Sequence, residues 1–430
     1  MVSFGDEDIY LAKLDSSGNI IWLKTAGSKT WDKIGIGGNA GAVGGGSSLS
    51  VSDNQELVVS GNFIQFYTSN SPVDTAWFDA VPLTSAHGRN SFVAKYDLSG
   101  NLIWIRKITR DVYTTDIAVD RFANIFITGE IMGGAPMFDS VSVPTPATGA
   151  LFLAKYSNSG ALQWVRQATG ALDGAPRAVV TDSSGNVYFT GNYYSGSLTF
   201  DWYSLPGTGN NDEVFLAKYD SAGSFMWAKR AGGSGMDYGH SIALTPSGNI
   251  VLAGNFVQPG TFGNDTLTGN GGTEMFLAEY TATGNYIAGS TMGGSNYDMA
   301  NVVAFASDGT VYITGRSNSN PCYFGSQQVF VSGTGMILAK GALVTGTDDP
   351  FASSRWITFY PNPTDRRLYY QNFGDRSAKA QLINDAGILV YEFDIVPGIN
   401  YVDLDLPTGN YFMKSLLNGG KTEKITILKN

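Results

Sequence analysis

Apolar residues alternate with small or polar ones over Val214-Phe-Leu-Ala-Lys-Tyr-Asp-Ser-Ala-Gly-Ser-Phe-Met-Trp227, and a Gly-containing polar turn splits the run in two. A period of two with a turn at its centre predicts a β-hairpin. The same hairpin begins at Ile9, Phe92, Phe152 and Phe276, and its first strand returns alone at Met336. Its lysine falls at Lys13, Lys95, Lys155, Lys218 and Lys340, with Glu279 in that place in the fifth copy. The intervals of 82, 60, 63, 61 and 61 residues give a period made only of short strands, which points to a β-propeller array rather than a helical solenoid.

Two further strands follow each hairpin. One reads Ser241-Ile-Ala-Leu244 and the other Asn249-Ile-Val-Leu-Ala-Gly254, with equivalents Asn186-Val-Tyr-Phe-Thr-Gly191, Asn124-Ile-Phe-Ile-Thr-Gly129 and Thr310-Val-Tyr-Ile-Thr-Gly315. A longer connector then carries Phe78, Phe138, Phe200, Phe262 or Phe324. Four strands per period match a propeller blade; the Ile-Ala-Leu strand is inner strand A, the Asn-to-Gly strand is B, and the hairpin is C and outer strand D. If the hairpin at Ile9 joins the last A–B pair, near 302–315, a ring of five blades closes and the strand at Met336 is left to compete for that place. Six blades follow if residues precede Met1. The recurring lysine and the strand D tryptophans (Trp22, Trp104, Trp164, Trp227) read as scaffold, the lysine stem packing while its ammonium finds a carbonyl or carboxylate.

The pattern stops after Gly341. Residues 1–341 form the propeller, 342–354 a polar linker, and 355–430 a second β module. In the last, seven short alternating runs start at Trp356, Leu368, Ala378, Ile388, Tyr401, Tyr411 and Glu423, which predicts a small immunoglobulin-like β-sandwich. The expected fold is therefore all-β: a propeller followed by a sandwich.

Charge narrows the partners. The net charge is −10, and residues from Arg355 onward hold 9 basic against 8 acidic side chains, so the residues before Arg355 carry 18 against 29. Such an acidic surface is a poor match for nucleic acid or anionic lipid. Charged residues are only 15% of the chain, a surface style common outside the cell. Cys322 is the single cysteine, so no internal disulfide forms, and no apolar run is long enough to span a bilayer. No signal peptide opens this sequence, so a removed leader is expected.

The repeats resemble the bacterial SBBP-type β-propeller repeat, through the S-G-N turn, the V-Y-x-T-G strand and the F-L-A-K-Y-D hairpin, over about residues 6–340. The resemblance implies a fold and an extracytoplasmic habit, not a chemistry. The last 75 residues or so look like the C-terminal sorting domain of the type IX secretion system of Bacteroidetes. The residues that carry this are Pro361, Asn362 and Pro363, Asp385 and Gly387 in Asn384-Asp-Ala-Gly387, Gly409 and Tyr411 in Leu406-Pro-Thr-Gly-Asn-Tyr411, then Lys421, Lys424 and Lys429. Such a domain implies export to the cell surface or medium through the periplasm. Its implied partners are the outer-membrane machinery and a sortase-like peptidase that removes residues 355–430.

No motif for catalysis stands out. His87 and His240 lie in different repeats, so metal-ligand spacing is missing and no cofactor or metal is expected. Turns such as Asp15-Ser-Ser-Gly-Asn19 lack the further ligands of a calcium loop, and Asp capping a tight turn accounts for them. One pattern has chemical content. The D-to-A connectors pair an acid with an aromatic: Trp31 and Asp32, Asp111 and Tyr113, Asp237 and Tyr238, Tyr297 and Asp298, with Asp173 lacking the ring. All should lie on one end of a propeller, where aromatic faces and carboxylates suit a glycan, a cation or another surface protein. Turn-forming Asp with a Tyr covering the blade edge is the structural alternative. A non-catalytic binding or adhesion module, a glycan-active enzyme with acids at the axial mouth, and structural filler within a larger adhesin are the three functional readings.

Overall fold

The computed structural model describes residues 9–27, 32–34, 49–65, 75–84, 88–146, 148–170, 173–194, 196–209, 211–324, 327–330, 333–342, 357–360, 367–372, 378–384, 388–396, 398–415 and 422–427. Among these every regular element is a β-strand, and no helix is long and apolar enough to cross a membrane. The chain forms two compact units, Met1–Leu343 and Val344–Asn430.

In the first unit the strands build successive antiparallel sheets, a propeller-like arrangement. The fourth sheet is representative: A is Asp173–Thr181, B is Val187–Tyr194, C is Asp212–Tyr219 and D is Phe225–Gly232. Four strands per sheet were expected, but this sheet has six. Its outer edge is extended by Gly260–Phe262 and Asp265–Leu267, a hairpin that comes from the B–C connector of the next sheet. The same exchange recurs, so that Phe78, Phe138, Phe200, Phe262 and Phe324 pair opposite Ala26, Ile108, Ala168, Ala231 and Met292 on the preceding strand D. Strand D would otherwise present an open row of backbone donors and acceptors, and the borrowed hairpin pairs with two residues at one end of that row, as Phe262 and Thr261 do with Ala231 and Gly232. The connector phenylalanines also rivet the sheets: Phe262 lies 4.8 Å from Phe276 of its own strand C, and Phe138 lies 5.3 Å from Phe152.

The ends of the array differ from the expected closure. The last A–B pair, Asp298–Phe305 and Thr310–Ser317, takes Gly335–Ala342 as its strand C, and the hairpin Ile9–Leu14 and Ile20–Gly27 instead forms a sheet with Thr75–Phe78 and Val81–Thr84. The competing strand therefore holds the edge, through eight residue pairs from Thr310↔Ala342 to Ser317↔Gly335.

Alternation decides how sheets stack. On strand C of the fourth sheet, Phe215, Ala217 and Tyr219 pack towards the third sheet, with Phe126, Leu151 and Leu153. Val214 and Leu216 on the opposite face pack towards the fifth, with Leu252, Phe276 and Tyr280. The lysine shares this second face, and its ammonium reaches the next sheet's C–D turn: Lys13 donates to the Leu98 carbonyl at 3.2 Å, Lys155 to Ser221 at 2.8 Å and Lys218 to Ala282 at 3.0 Å. The fifth sheet holds Glu279 there, and it accepts from the Asn249 amide at 2.8 Å. In each following turn a glycine lies against the preceding strand D tryptophan. A methyl on Gly223 would come within 2.9 Å of Trp164, and one on Gly284 within 2.8 Å of Trp227.

The turn aspartates cap as expected. The Asp97 Oδ1 accepts from the Ser99 and Asn101 amides at 2.8 and 2.9 Å, and the Asn101 side chain donates to Oδ2 at 2.8 Å.

In the second unit seven strands form a three-stranded sheet (Ile357–Tyr360, Arg367–Asn372, Gly398–Asp403) and a four-stranded one (Leu389–Ile395, Ala378–Asn384, Gly409–Ser415, Thr422–Ile427). Leu368 from the first, with Leu404 just after its last strand, shares a core with Ala380, Leu382, Ile395 and Met413 from the second, as a sandwich requires.

Candidate functional site

The inner strands carry a feature that the residue pattern did not reveal. In each of the last four sheets strand A has a β-bulge at one place: the register slips between Thr114 and Asp116, Pro176 and Ala178, Gly239 and Ser241, and Ala300 and Val302. The extra residues are Thr115, Arg177, His240 and Asn301. A bulge bends its strand and re-aims a side chain. Opposite each bulge stands the glycine of the recurring strand B motif. A methyl there would lie 1.8 Å from the Tyr113 carbonyl oxygen at Gly129, 2.0 Å from that of Ala175 at Gly191, and 1.9 Å from that of Tyr238 at Gly254. The Thr-Gly repetition is thus the requirement of the bulge. The scaffold repeats, and the residue it presents does not.

Around Arg177 and His240 the polar groups interlock. Arg177 Nε donates to Asn192 Oδ1 at 3.0 Å, and its guanidinium lies 5.0 Å from the Tyr238 ring centre. Asn192 donates to Asp212 Oδ1 at 2.7 Å, while the Tyr238 hydroxyl donates to Asp212 Oδ2 at 3.1 Å. Tyr238 stacks on His240 with ring centres 5.7 Å apart, and His240 Nε2 is 2.7 Å from Asn255 Oδ1. Burial, with the Arg177 and Arg316 charges nearby, pushes His240 down to about 3, so the ring is neutral at ordinary pH. Its Nδ1 and the Asn255 amide nitrogen are buried without a hydrogen-bond partner among the described residues. Burial likewise lowers the Arg177 pKa, opposed by Tyr238, Glu130, Asp212 and Tyr297, which places these groups within electrostatic reach.

The expected acid–aromatic pairs divide into two sets. Tyr113, Tyr238 and Tyr297 are half-buried, and each ring is covered by a guanidinium: Arg89 at 4.9 Å, Arg177 at 5.0 Å and Arg316 at 5.3 Å. These arginines were not singled out in the sequence, since they sit at three different strand positions and no fixed spacing links them to their tyrosines. The acids behave otherwise. Asp237 is fully buried and accepts from the Gly233 amide at 2.5 Å and the Val257 amide at 2.7 Å. Asp298 is equally buried and accepts from Gly294 N at 2.8 Å and Ser319 Oγ at 2.6 Å, and from Ser317 Oγ. Both carboxylates pin the glycine turn between strands D and A rather than face solvent, and burial raises Asp237 to about 7. Asp111 is exposed, with a left-handed backbone (φ 57°), and receives the Arg89 amide at 3.3 Å. Trp31 and the side chains of Asp32 and Asp173 lie outside the described residues. Of the sorting residues, Gly409 pairs with Ile427 and Tyr411 is buried with its hydroxyl on the Pro407 carbonyl at 2.8 Å. The backbone of Lys424 pairs with Phe412, whereas Pro361, Asn362, Pro363, Asp385, Gly387, Lys421 and Lys429 fall outside the described residues.

No protein-family model matches the chain. A stretch of 251 residues, 49% of this chain and 18% of the relative, is 28% identical to WD repeat-containing protein L264 of Acanthamoeba polyphaga mimivirus, itself uncharacterized. Another of 149 residues, 34% of this chain and 16% of the relative, is 31% identical to the regulatory protein FlaEY of Caulobacter vibrioides. The chain spans less than a fifth of the length of either relative. Among solved structures, a protein of unknown function from Bacteroides caccae superposes with a TM-score of 0.32 at 10% identity, over 71% of this chain and 90% of that one. PorZ, an essential bacterial surface component of the type-IX secretion system of Porphyromonas gingivalis, superposes with a TM-score of 0.21 at 10% identity, over 89% and 70%. Dimeric latent PorU from the same organism gives 0.18 at 10% identity, over 89% and 32%. None of these superpositions reaches a TM-score of one half, so the functional reading rests on the chain's own residues.

Proposed function

We propose that the first unit is a non-catalytic binding module of a secreted or cell-surface protein. The observation that carries this reading is the bulge: a constant scaffold offers Thr115, Arg177, His240 and Asn301 at one equivalent place in four successive sheets. Thr115, Arg177 and His240 are themselves buried, so the variable residue acts through its neighbours, as Arg177 and His240 do on the half-buried Tyr238 ring. The arginine-covered tyrosines Tyr113, Tyr238 and Tyr297 belong to the same ends of the A strands and supply polar-aromatic surface for a glycan or another surface protein. A glycan-active enzyme is less well supported. Buried acids recur at equivalent places, Glu213 and Asp237 in one sheet pair and Glu274 and Asp298 in the next, which marks them as scaffold.

The route to the surface is proposed to be type IX secretion, with residues 355–430 as the address that the outer-membrane machinery and a sortase-like peptidase read. Support comes from the terminal motifs and from a separate seven-stranded unit that contains them. A glycan array probed with the full chain, beside Arg177→Ala and Tyr238→Ala, tests the binding reading: glycans retained by the wild type and lost by both variants are expected. Binding that survives both substitutions would remove the site from the proposal. For export, deleting 355–430 in a type IX-competent host should strand the first unit in the periplasm, and its arrival at the surface would refute the address.

A further inference from the structure

Among the described residues five buried interfaces join the six sheets of the first unit. In four of them the face bearing the strand C leucine and lysine on one sheet meets the phenylalanine–alanine–tyrosine face of the next. In the fifth, Leu277 and Glu279 face Ile337 and Ala339. The two ends of the array each expose one half of this joint. On the first sheet Tyr10 is 67% exposed, Leu14 52% and Ile20 63%, whereas their equivalents Phe215, Tyr219 and Phe225 are buried. On the sixth, Met336 is 96% exposed and Leu338 74%, whereas Val214 and Leu216 are buried. Tyr312 and Val302 complete this face, against buried Tyr188 and Ala178 in the fourth sheet.

We infer that these faces join head to tail between two copies of this chain, the sixth sheet of one on the first sheet of the other. The chemistry of the occupant is written in the internal interfaces. Lys340 is the counterpart of Lys155 and Lys218, which donate to the second residue of the next C–D turn, Ser221 and Ala282. In the first sheet that residue is Ser16, so Lys340 of one copy donates to the Ser16 carbonyl of the other. The first sheet's C–D turn is bare as well: Gly100, Gly160, Gly223 and Gly284 each lie under the tryptophan of a preceding sheet, whereas among the described residues nothing stands within 4 Å of a methyl built on Gly18. Both halves are open at once on one chain, so the contact is heterologous and propagates into a ring or a filament.

Analytical ultracentrifugation of the full chain tests this, with Tyr10→Asp and Leu338→Asp, two substitutions at exposed positions whose folding is checked by circular dichroism. The wild type is expected to form concentration-dependent oligomers. Each variant alone should lose association by ~10-fold or more, because a charge replaces a large apolar contact. An equimolar mixture of the two variants keeps one intact seam and should give dimers that do not elongate. A wild type that stays monomeric at every concentration overturns the inference, and does so specifically for closure within one chain if both variants then melt lower. Variants that still assemble alone, or a mixture that gives no dimer, overturn it as well.

Discussion

Replacing Gly254 by alanine tests whether the bulge dictates the strand B glycine. Gly254 has an ordinary backbone, yet a methyl there would sit 1.9 Å from the Tyr238 carbonyl oxygen and 2.9 Å from the Phe276 ring. Strand A has to retreat by about 1 Å or more, and backbone cannot swing aside as a side-chain tip would. The retreat strains the His240–Asn255 bond and the amide of Val257 on Asp237, both 2.7 Å long. Overpacking of about 1–3 kcal/mol and about 1 kcal/mol for each bond lost put the cost near 4 kcal/mol. Gly248 is the control: its φ of +86° disfavours alanine, but nothing lies within 4 Å, so only about 1–2 kcal/mol of backbone strain is expected. If Met1–Leu343 unfolds as one unit, each kcal/mol lowers the melting temperature by about 1.4 °C. Scanning calorimetry should therefore show a fall of about 5–6 °C for Gly254→Ala and about 2 °C for Gly248→Ala. Equal falls, or a larger one for Gly248→Ala, would refute the steric reasoning.

Three further outcomes follow from buried groups. Burial raises the pKa of Asp116, Asp139, Glu213, Asp237, Glu274 and Glu279, so the folded chain binds protons there that the unfolded chain does not, and stability should rise as pH falls from about 7 towards 4. His240, lowered to about 3, opposes this below about 6.5, and Asp15, Asp97, Asp182 and Asp308, whose pKa values are lowered mainly by turn hydrogen bonds, except at Asp182 where burial is the largest influence and opposes them, reverse the trend below about 4. Urea midpoints that decline steadily from pH 7 to pH 5 would contradict the assignment. Lys218→Met keeps the stem and removes a desolvated charge, so its urea midpoint should shift by less than the equivalent of about 1.5 kcal/mol, whereas Lys218→Ala should cost about 2 kcal/mol or more; equal losses would mean that the charge, not the packing, matters. Phe262→Ala empties a fully buried site at the borrowed hairpin, with an expected cost of about 3–5 kcal/mol and faster proteolysis within 258–272; an unchanged cleavage pattern would show that the hairpin does not depend on its rivet.

Residue order alone determined the local elements and their repetition. Alternation in Val214–Trp227 and its copies, the Asp-x-x-Gly turns and the seven terminal runs all became strands and turns near the expected places, because side-chain period and turn chemistry act between near neighbours. It also separated a repeat region from a terminal module, since the period simply stops. The partner of each edge was another matter. Whether Phe262 stays in its own sheet or crosses to the preceding one, and whether 335–342 or the first hairpin takes the last strand B, are contests between sequences of nearly the same pattern. Burial and edge pairing across some sixty residues settle such contests. The site followed the same rule. Tyr238 and Tyr297 were legible as aromatics in equivalent connectors, but Arg177 reaches Tyr238 only across a sheet interface, at a bulge created where a strand A carbonyl presses on Gly254's counterpart, Gly191. Asp237 and Asp298 look like ligand-binding acids in one dimension. Tertiary burial turns them into anchors for glycine amides, because a carboxylate removed from water persists where the folded chain supplies donors.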